Sequence, residues 1–322
     1  MRVSVAISTY QRADLLPRLV AALEGQTLPR EEFEVVIADN GSTDRTAQML
    51  ADLAARSPLT LRVVSVAENH GPARGRNFAW RASRAPIVAF TDDDCVPTPH
   101  WLEAGLREMG SARKIVVGRT IPSPEQLHRQ GPFSLTVAVE DARFFHTCNI
   151  FYRRDDLEAA GGFDEGFTTP GGEDTDLGIR VKRLGVETVF RDDALVHHDV
   201  GASSFSAVLR QTLRWTDIPL FFDKHPQARK ELLVKGVFWK PAHPRVIAAA
   251  AGAAAAAALT PFSPAGLAAL ALGLPWLWFR IRRRPLGGPR RRWLVLPGAF
   301  TIDLLEVAVM LRGSLRHRTL VL

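Results

Sequence analysis

The chain has 322 residues, 46% of them apolar, with a formal net charge of +7 and two cysteines, Cys95 and Cys148. That composition excludes a disordered chain, and the length allows one large domain or two smaller ones. Two cysteines exclude a disulfide framework and a zinc-ligand spacing, and fit a reducing compartment. Seven arginines and no acid lie between Arg280 and Arg292, so the excess charge is local. Beside an apolar run, such a cluster points to anionic lipid headgroups and not to nucleic acid.

Met1-Arg2 leads straight into Val3 to Ile7, the first predicted strand, which stops by Gln11-Arg12 and is too short for a signal peptide. Asp14 is placed to cap a helix through Leu15, Leu16, Leu19, Val20 and Leu23, apolar at helical spacing. Phe33 to Ala38 reads as a buried strand, running into the turn Asp39-Asn40-Gly41-Ser42 and a helix from Thr43 or Asp44 through Leu53. Leu61 to Val66 is a third strand, and Gly71-Pro72 opens another helix. Ile87 to Phe90 is a fourth strand and ends in Thr91-Asp92-Asp93-Asp94. Three adjacent carboxylates stay ionised together only if something positive holds them. A divalent cation is the candidate, since hard cations take oxygen ligands; a solvated acidic turn is the alternative.

Strands alternating with helices predict a mostly parallel sheet flanked by helices. Ligands bind such sheets at the carboxyl ends of the strands. Here those ends carry Thr9-Tyr10, Asp39-Asn40 and the aspartate run. No Gly-x-Gly-x-x-Gly and no Gly-Lys-Ser/Thr loop is present, so a nucleotide would be held in another way. Further on, Ile115 to Gly118 and Thr147 to Tyr152 read as short strands, followed by a short helix ending at Gly161-Gly162. Phe163 to Gly172 is a loop, Glu173-Asp174 begins a helix that ends at Gly185, and Val186 to Phe190 is a strand. Ala194 to His198 ends near two histidines.

Four pieces in this order resemble the family 2 glycosyltransferases, which have a GT-A fold. They are Val5 to Tyr10, Ala38 to Asp44, Asp92-Asp93-Asp94, and Gly161-Gly162-Phe163-Asp164 followed by Gly172-Glu173-Asp174. The resemblance covers about the first 215 residues. It implies transfer of a sugar from a nucleotide-diphosphate donor, with inversion, and a divalent metal, Mn²⁺ or Mg²⁺, at the leaving diphosphate. It places Thr9, Tyr10, Arg12, Asp39, Arg76, Asp92 and Asp93 around the donor nucleotide. It places Asp94 and Asp92 at the metal, with His198 a further ligand; imidazole beside a carboxylate suits Mn²⁺ better. Asp174, beside Glu173, would be the general base that takes the acceptor proton. Gln211-Thr212-Leu213-Arg214-Trp215 matches the QxxRW motif, with Gln211, Arg214 and Trp215 on one face of a helix. By resemblance Arg214 stabilises the leaving group, while Gln211 and Trp215 meet the acceptor. An interfacial helix is the plainer reading of that motif. The rival functions are a nucleotidyltransferase and an inactive membrane scaffold with the same fold.

Val246 to Phe279 holds 34 residues without a charge, broken by Pro261-Phe262-Ser263-Pro264. A membrane hairpin is the preferred reading, with a re-entrant loop or a low-complexity soluble helix as the alternative. Lys240 and Arg245 before it and the arginine cluster after it would lie on the same, cytoplasmic side. Trp293 to Leu311 is apolar but carries Asp303 and Glu306 on one helical face, and is expected as an interfacial helix. The expected organisation is therefore a catalytic domain over 1–235, a membrane hairpin with its arginine flank over 236–292, and an interfacial helix with a basic tail over 293–322. The expected location is the cell inner membrane, catalytic domain cytoplasmic. The expected partners are a nucleotide-diphosphate sugar, a glycan or lipid-linked acceptor, and membrane lipids.

Overall fold

The computed structural model describes residues 1–110, 113–131, 133–201, 204–283 and 292–322. The chain divides into two compact units, Met1–Arg129 with Thr136–Gly201, and Gln130–Leu135 with Ala202–Leu322.

The first unit is built on an eight-stranded sheet: β1 (Val3–Thr9), β2 (Phe33–Asn40), β3 (Leu61–Val66), β4 (Ile87–Phe90), β5 (Cys95–Pro97), β6 (Lys114–Pro122), β7 (Ile150–Arg153) and β8 (Glu187–His198). Their spatial order is β3-β2-β1-β4-β7-β6-β8-β5. β3, β2, β1 and β4 run parallel, as the alternation of strands and helices predicts. β7 enters antiparallel to both β4 and β6, and β5 is antiparallel to β8. β1 and β2 are buried along nearly their whole length, which is why they read as unbroken apolar runs. Near their N-terminal ends Ser4 donates to the buried Glu34 at 2.7 Å, and Glu34 also accepts from the Arg84 amide at 2.7 Å. A buried carboxylate is tolerated because donors surround it.

Helices α1 (Leu16–Glu24), α2 (Thr46–Arg56), α3 (Pro72–Ala82), α4 (Trp101–Glu108), α5 (Arg154–Ala159) and α6 (Glu173–Arg183) complete this unit. Asp14 does not cap α1. Leu15 holds the cap position, and Asp14 is exposed beside Arg45. α3 packs closely on β1: a Cβ at Gly75 would lie 2.1 Å from Ser8 Oγ. The sequence reading passed over β5 and α4. β5 has only three residues and contains Pro97, so it has no periodicity to read. β8 is one strand where two pieces were expected, its pairing with β6 shifting register between Gly118 and Thr120.

Asn149 closes that irregularity. Its amide donates to Arg119 O and Ala194 O, both at 2.8 Å, and its carbonyl accepts from Trp101 Nε1 at 2.8 Å. A Cβ on Gly118 would fall 2.3 Å from Asn149 Oδ1 and 2.4 Å from Ala194 O. Gly118→Ala is therefore expected to destabilise the unit by about 1–3 kcal/mol. An unchanged midpoint in thermal unfolding would contradict this.

The second unit is helical: α7 (Phe205–Thr212), α8 (Ile218–Lys224), α9 (Arg229–Leu232), α10 (Ala242–Leu259), α11 (Leu274–Arg283) and α12 (Arg292–His317), with a 3₁₀ segment over Pro264–Gly273. α10 ends just before the expected break at Pro261 to Pro264. Small residues let the chain return closely along it: Gly252 faces Ala269 O, where a Cβ would come within 2.4 Å. Val246, Ala249, Trp276 and Ala299 form the core between α10, α11 and α12. Ala242–Leu259, Pro264–Arg282 and Leu294–His317 are each long and apolar enough to cross a membrane.

Asp303 and Glu306 are not turned to water, as an interfacial helix would turn them. Both are buried, Asp303 against Arg280 and Trp276, Glu306 against Lys240 and His243. Arg280 therefore belongs to the interior of the unit, and Arg282 lies over the Trp278 ring. Arg284, Arg290 and Arg291 of the expected lipid-facing cluster lie outside the described residues.

Candidate active site

The three adjacent aspartates that follow β4 face three different partners. Asp93 turns inward, where Thr9 Oγ1 donates to Oδ2 at 2.7 Å and Arg12 Nε lies 3.9 Å from Oδ1. Asp92 meets Arg76 at 3.2 Å. Asp94 meets His198, Nε2 lying 3.3 Å from Oδ1. The short strand β5 makes the last contact possible, because its antiparallel register sets Cys95 opposite His198. Neighbours on a strand point to opposite faces, so it is His198 and not His197 that meets Asp94.

Arg76 joins two stretches that lie far apart in sequence. Its guanidinium bonds Asp92 and also Glu173, the latter at 2.8 Å, so the aspartate run and the start of α6 meet at one side chain. Glu173 and Asp174 sit in the first turn of α6, where carboxylates complement the helix dipole. Gly171 and Gly172 precede them with φ of 135° and 107°, which explains two glycines there. The Gly171 amide donates to Glu173 Oε2 at 2.7 Å and the Thr175 amide to Asp174 Oδ1 at 2.7 Å.

His146 is a site residue that sequence reasoning missed. Its Nδ1 lies 3.8 Å from Asp174 Oδ2. A lone histidine in a polar loop gives no signal by itself. Its placement depends on Phe145, a buried residue at φ +51°, a conformation disfavoured for a bulky side chain. The ring fits only because α6 has Gly178 there; a Cβ would come within 2.1 Å of it. Thr175 Oγ1 donates to Phe144 O at 2.7 Å and pins the same loop to α6.

Of the other expected site residues, Asp39 is buried at the end of β2 and accepts the Ser42 amide at 3.1 Å, a turn-forming bond. Tyr10 is exposed, its hydroxyl accepting from Gln11 at 3.1 Å. Gln211, Arg214 and Trp215 belong to the second unit. They do not share one α-helix: α7 ends at Thr212, and Leu213–Trp215 is a 3₁₀ turn. Trp215 packs edge-on to Trp239, ring centroids 5.0 Å apart, with Lys240 Nζ 4.4 Å from the Trp215 centroid.

Residues 87–297 match the family model described as Glycosyl transferase family group 2, and residues 4–161 match Glycosyl transferase family 2. The chain belongs to the family 2 glycosyltransferases. It is 30% identical over 279 residues to the validoxylamine A glucosyltransferase of Streptomyces hygroscopicus subsp. jinggangensis (strain 5008), covering 73% of this chain and 63% of that one. It is 26% identical over 220 residues to the glycosyltransferase AglE of Haloferax volcanii, covering 66% of this chain and 71% of AglE. The matches to validoxylamine A glucosyltransferases thus span 63% and 58% of the length of those proteins. In fold it is similar to the mannosyltransferase PcManGT of Pyrobaculum calidifontis, a structure in complex with GDP-Man and Mn²⁺. That likeness has a TM-score of 0.63 at 20% identity, covering 97% of this chain and 86% of the other. The sheet and its flanking helices are the GT-A fold of the family.

The donor set of this glycosyltransferase fits a divalent cation. His198 Nδ1 lies 3.0 Å from the Asp199 carbonyl, which can only accept, so the ring proton is on Nδ1. Nε2 then faces the Asp94 carboxylate at 3.3 Å. Two acceptors that close need a cation or a proton between them. Among the described residues, ligand atoms of Asp94, Cys95 and His198 lie within 4.8 Å of one another. Burial pushes the Cys95 thiol well above its usual range, and Asp94 and His198 supply the oxygen and nitrogen donors that suit Mn²⁺ or Mg²⁺ better than a thiol does. Asp92, expected as a further ligand, lies outside that group and faces Arg76.

Burial, and then the neighbouring Asp94, raise Asp93 to about 7. Burial, and then Glu173, raise Asp174 to about 7. Burial opposes the charge on Arg76, but Asp92, Glu173 and Asp174 outweigh it and raise its pKa. An Asp174 that titrates near neutrality is poised for proton transfer. It also costs stability. Its folded pKa lies above the ordinary 3.8, so folding loses stability as pH rises from about 4 to about 7. Asp174→Asn removes that loss while keeping an acceptor for the Thr175 amide. The variant should melt higher than the parent at pH 8, with the gain shrinking toward pH 5. A lower melting point at pH 8 would refute the assignment.

Proposed function

We propose that this glycosyltransferase moves a sugar, with inversion, from a nucleotide-diphosphate donor to a membrane-proximal acceptor, a glycan or a lipid-linked one. The observation that carries this reading is Arg76. One guanidinium holds the aspartate run and the first turn of α6 together, so the donor side and the Asp174 carboxylate belong to one cleft.

In this reading Thr9, Tyr10, Arg12, Asp39, Arg76, Asp92 and Asp93 serve the nucleotide. Asp93 is held by Thr9 and Arg12, and its part is to fix the run so that Asp92 and Asp94 diverge. A divalent cation, Mn²⁺ or Mg²⁺, held by Asp94 and His198 would neutralise the diphosphate as it leaves. Asp174 takes the proton of the acceptor hydroxyl while that oxygen bonds to the anomeric carbon and the bond to the diphosphate breaks. Glu173 is held by Arg76 at 2.8 Å and fixes the first turn of α6, where Asp174 follows it. Arg214, Gln211 and Trp215 serve the leaving group and the acceptor, and the three apolar segments anchor the chain in the inner membrane, with the catalytic unit on the cytoplasmic side. The apolar segments Ala242–Leu259, Pro264–Arg282 and Leu294–His317 support that anchoring.

The purified chain in detergent, assayed with Mn²⁺ and a panel of nucleotide sugars, tests this. Asp94→Ala should abolish both the Mn²⁺-dependent stabilisation by nucleoside diphosphate and the transfer. Asp174→Asn should keep the stabilisation and lose transfer by about 10²–10⁴-fold. If Asp174→Asn turns over like the parent, the base is elsewhere; if no donor in the panel is turned over, the transferase reading fails.

A further inference from the structure

The second unit contains a cavity of about 400 Å³, within the size range of small-molecule sites. Phe133, Leu135, Val208, Phe279 and Ile302 supply most of its apolar wall. Lys240, Arg280 and the Glu306 carboxylate also line it. Each cation is fixed by a carboxylate, and the two carboxylates lie one turn apart on α12. Asp303 receives Nε of Arg280 at 2.8 Å and a second bond from Nη2, and also accepts from Trp276 Nε1 at 2.8 Å. Glu306 receives Lys240 Nζ at 2.7 Å and lies 3.0 Å from His243 Nε2. Acids in a segment apolar enough to cross a membrane are costly, and their usual justification is a function. Here they hold two cations at the wall of one cavity.

Neither cation is used up by its acid. The guanidinium has five N–H donors and the ammonium three; the fork to Asp303 engages only Nε and Nη2. Lys240 also lies 4.4 and 4.8 Å from the Trp215 and Trp239 ring centroids, and keeps 35% of its side-chain surface exposed. One face of Trp215 is thus taken by the Lys240 ammonium. Two oriented cations with unspent N–H donors, in a wall otherwise rich in aromatic and aliphatic side chains, suit an anionic head on an apolar chain.

We infer that this cavity binds a single-chain lipid phosphate, its phosphate at Lys240 and Arg280 and its first carbons along Phe279 and Ile302. The inference rests on the membrane-proximal acceptor proposed above and names that acceptor's class. The source is either an acceptor, which carries a phosphate monoester or diphosphate, or a bulk phospholipid, which carries a diester.

The test uses the full chain in a non-ionic detergent and follows tryptophan fluorescence. Dodecyl phosphate should give a saturable change, while dodecanol and inorganic phosphate should each bind at least tenfold more weakly. Lys240→Gln should weaken dodecyl phosphate tenfold or more. Leu135→Trp, which adds bulk to the cavity lining without changing a charge, should weaken it as well. Nucleoside diphosphate with Mn²⁺ should stabilise both variants as it does the parent; this separates a failed lipid site from a failed transferase. Equal binding of dodecanol, or full affinity in Lys240→Gln, would overturn the site. Equal competition by phosphatidylglycerol would overturn the acceptor assignment.

Discussion

The catalytic unit depends on one buried cation. Arg76 stands among Asp92, Glu173 and Asp174, and without it three carboxylates would share a poorly hydrated space with only backbone amides, the α6 dipole and His146 beside them. The fold is arranged to put that guanidinium there. Gly75 lets α3 lie against β1, which sets where the next residue emerges, and the paired glycines before α6 bring its first turn round to meet it. Breaking such a buried network by removing one partner is costly, because the charges left behind remain unpaired.

A similar economy governs the aspartate run. Repulsion between neighbours would keep three carboxylates in a row from being ionised together at one point. They are divided instead, one to a hydroxyl and a distant guanidinium, one to Arg76, one to an imidazole. The inward one, Asp93, is the least available for chemistry and the most constrained. The Cys95 amide donates to Asp92 O at 3.2 Å, so the run is a turn between β4 and β5, and its three side chains leave it toward different partners.

Much of the first unit was legible in advance. β1, β2 and β4 are buried on both faces, and such strands announce themselves as continuous apolar runs. Gly71-Pro72 marked the start of α3 through a glycine at φ +90° and a proline that needs no amide partner. The misses have a common cause: they depend on contacts between distant segments. β5 exists because β8 offers it an edge, and the identity of the useful histidine follows from that pairing. His146 owes its position to a strained Phe145 and to the absence of a side chain at Gly178. The acids of α12 looked like a polar stripe because their counter-charges lie some 60 residues back for Glu306 and over 20 for Asp303.

That last arrangement bears on how the chain is made. Lys240, His243, Trp276 and Arg280 all precede α12 in the sequence. Synthesis runs from the N-terminus, so every group that neutralises Asp303 and Glu306 exists before those acids leave the ribosome. The helix that could least enter an apolar environment alone is the last to arrive, and its partners are waiting. A circular permutation that moved α12 ahead of α10 would keep every contact of the finished molecule and reverse that order of assembly.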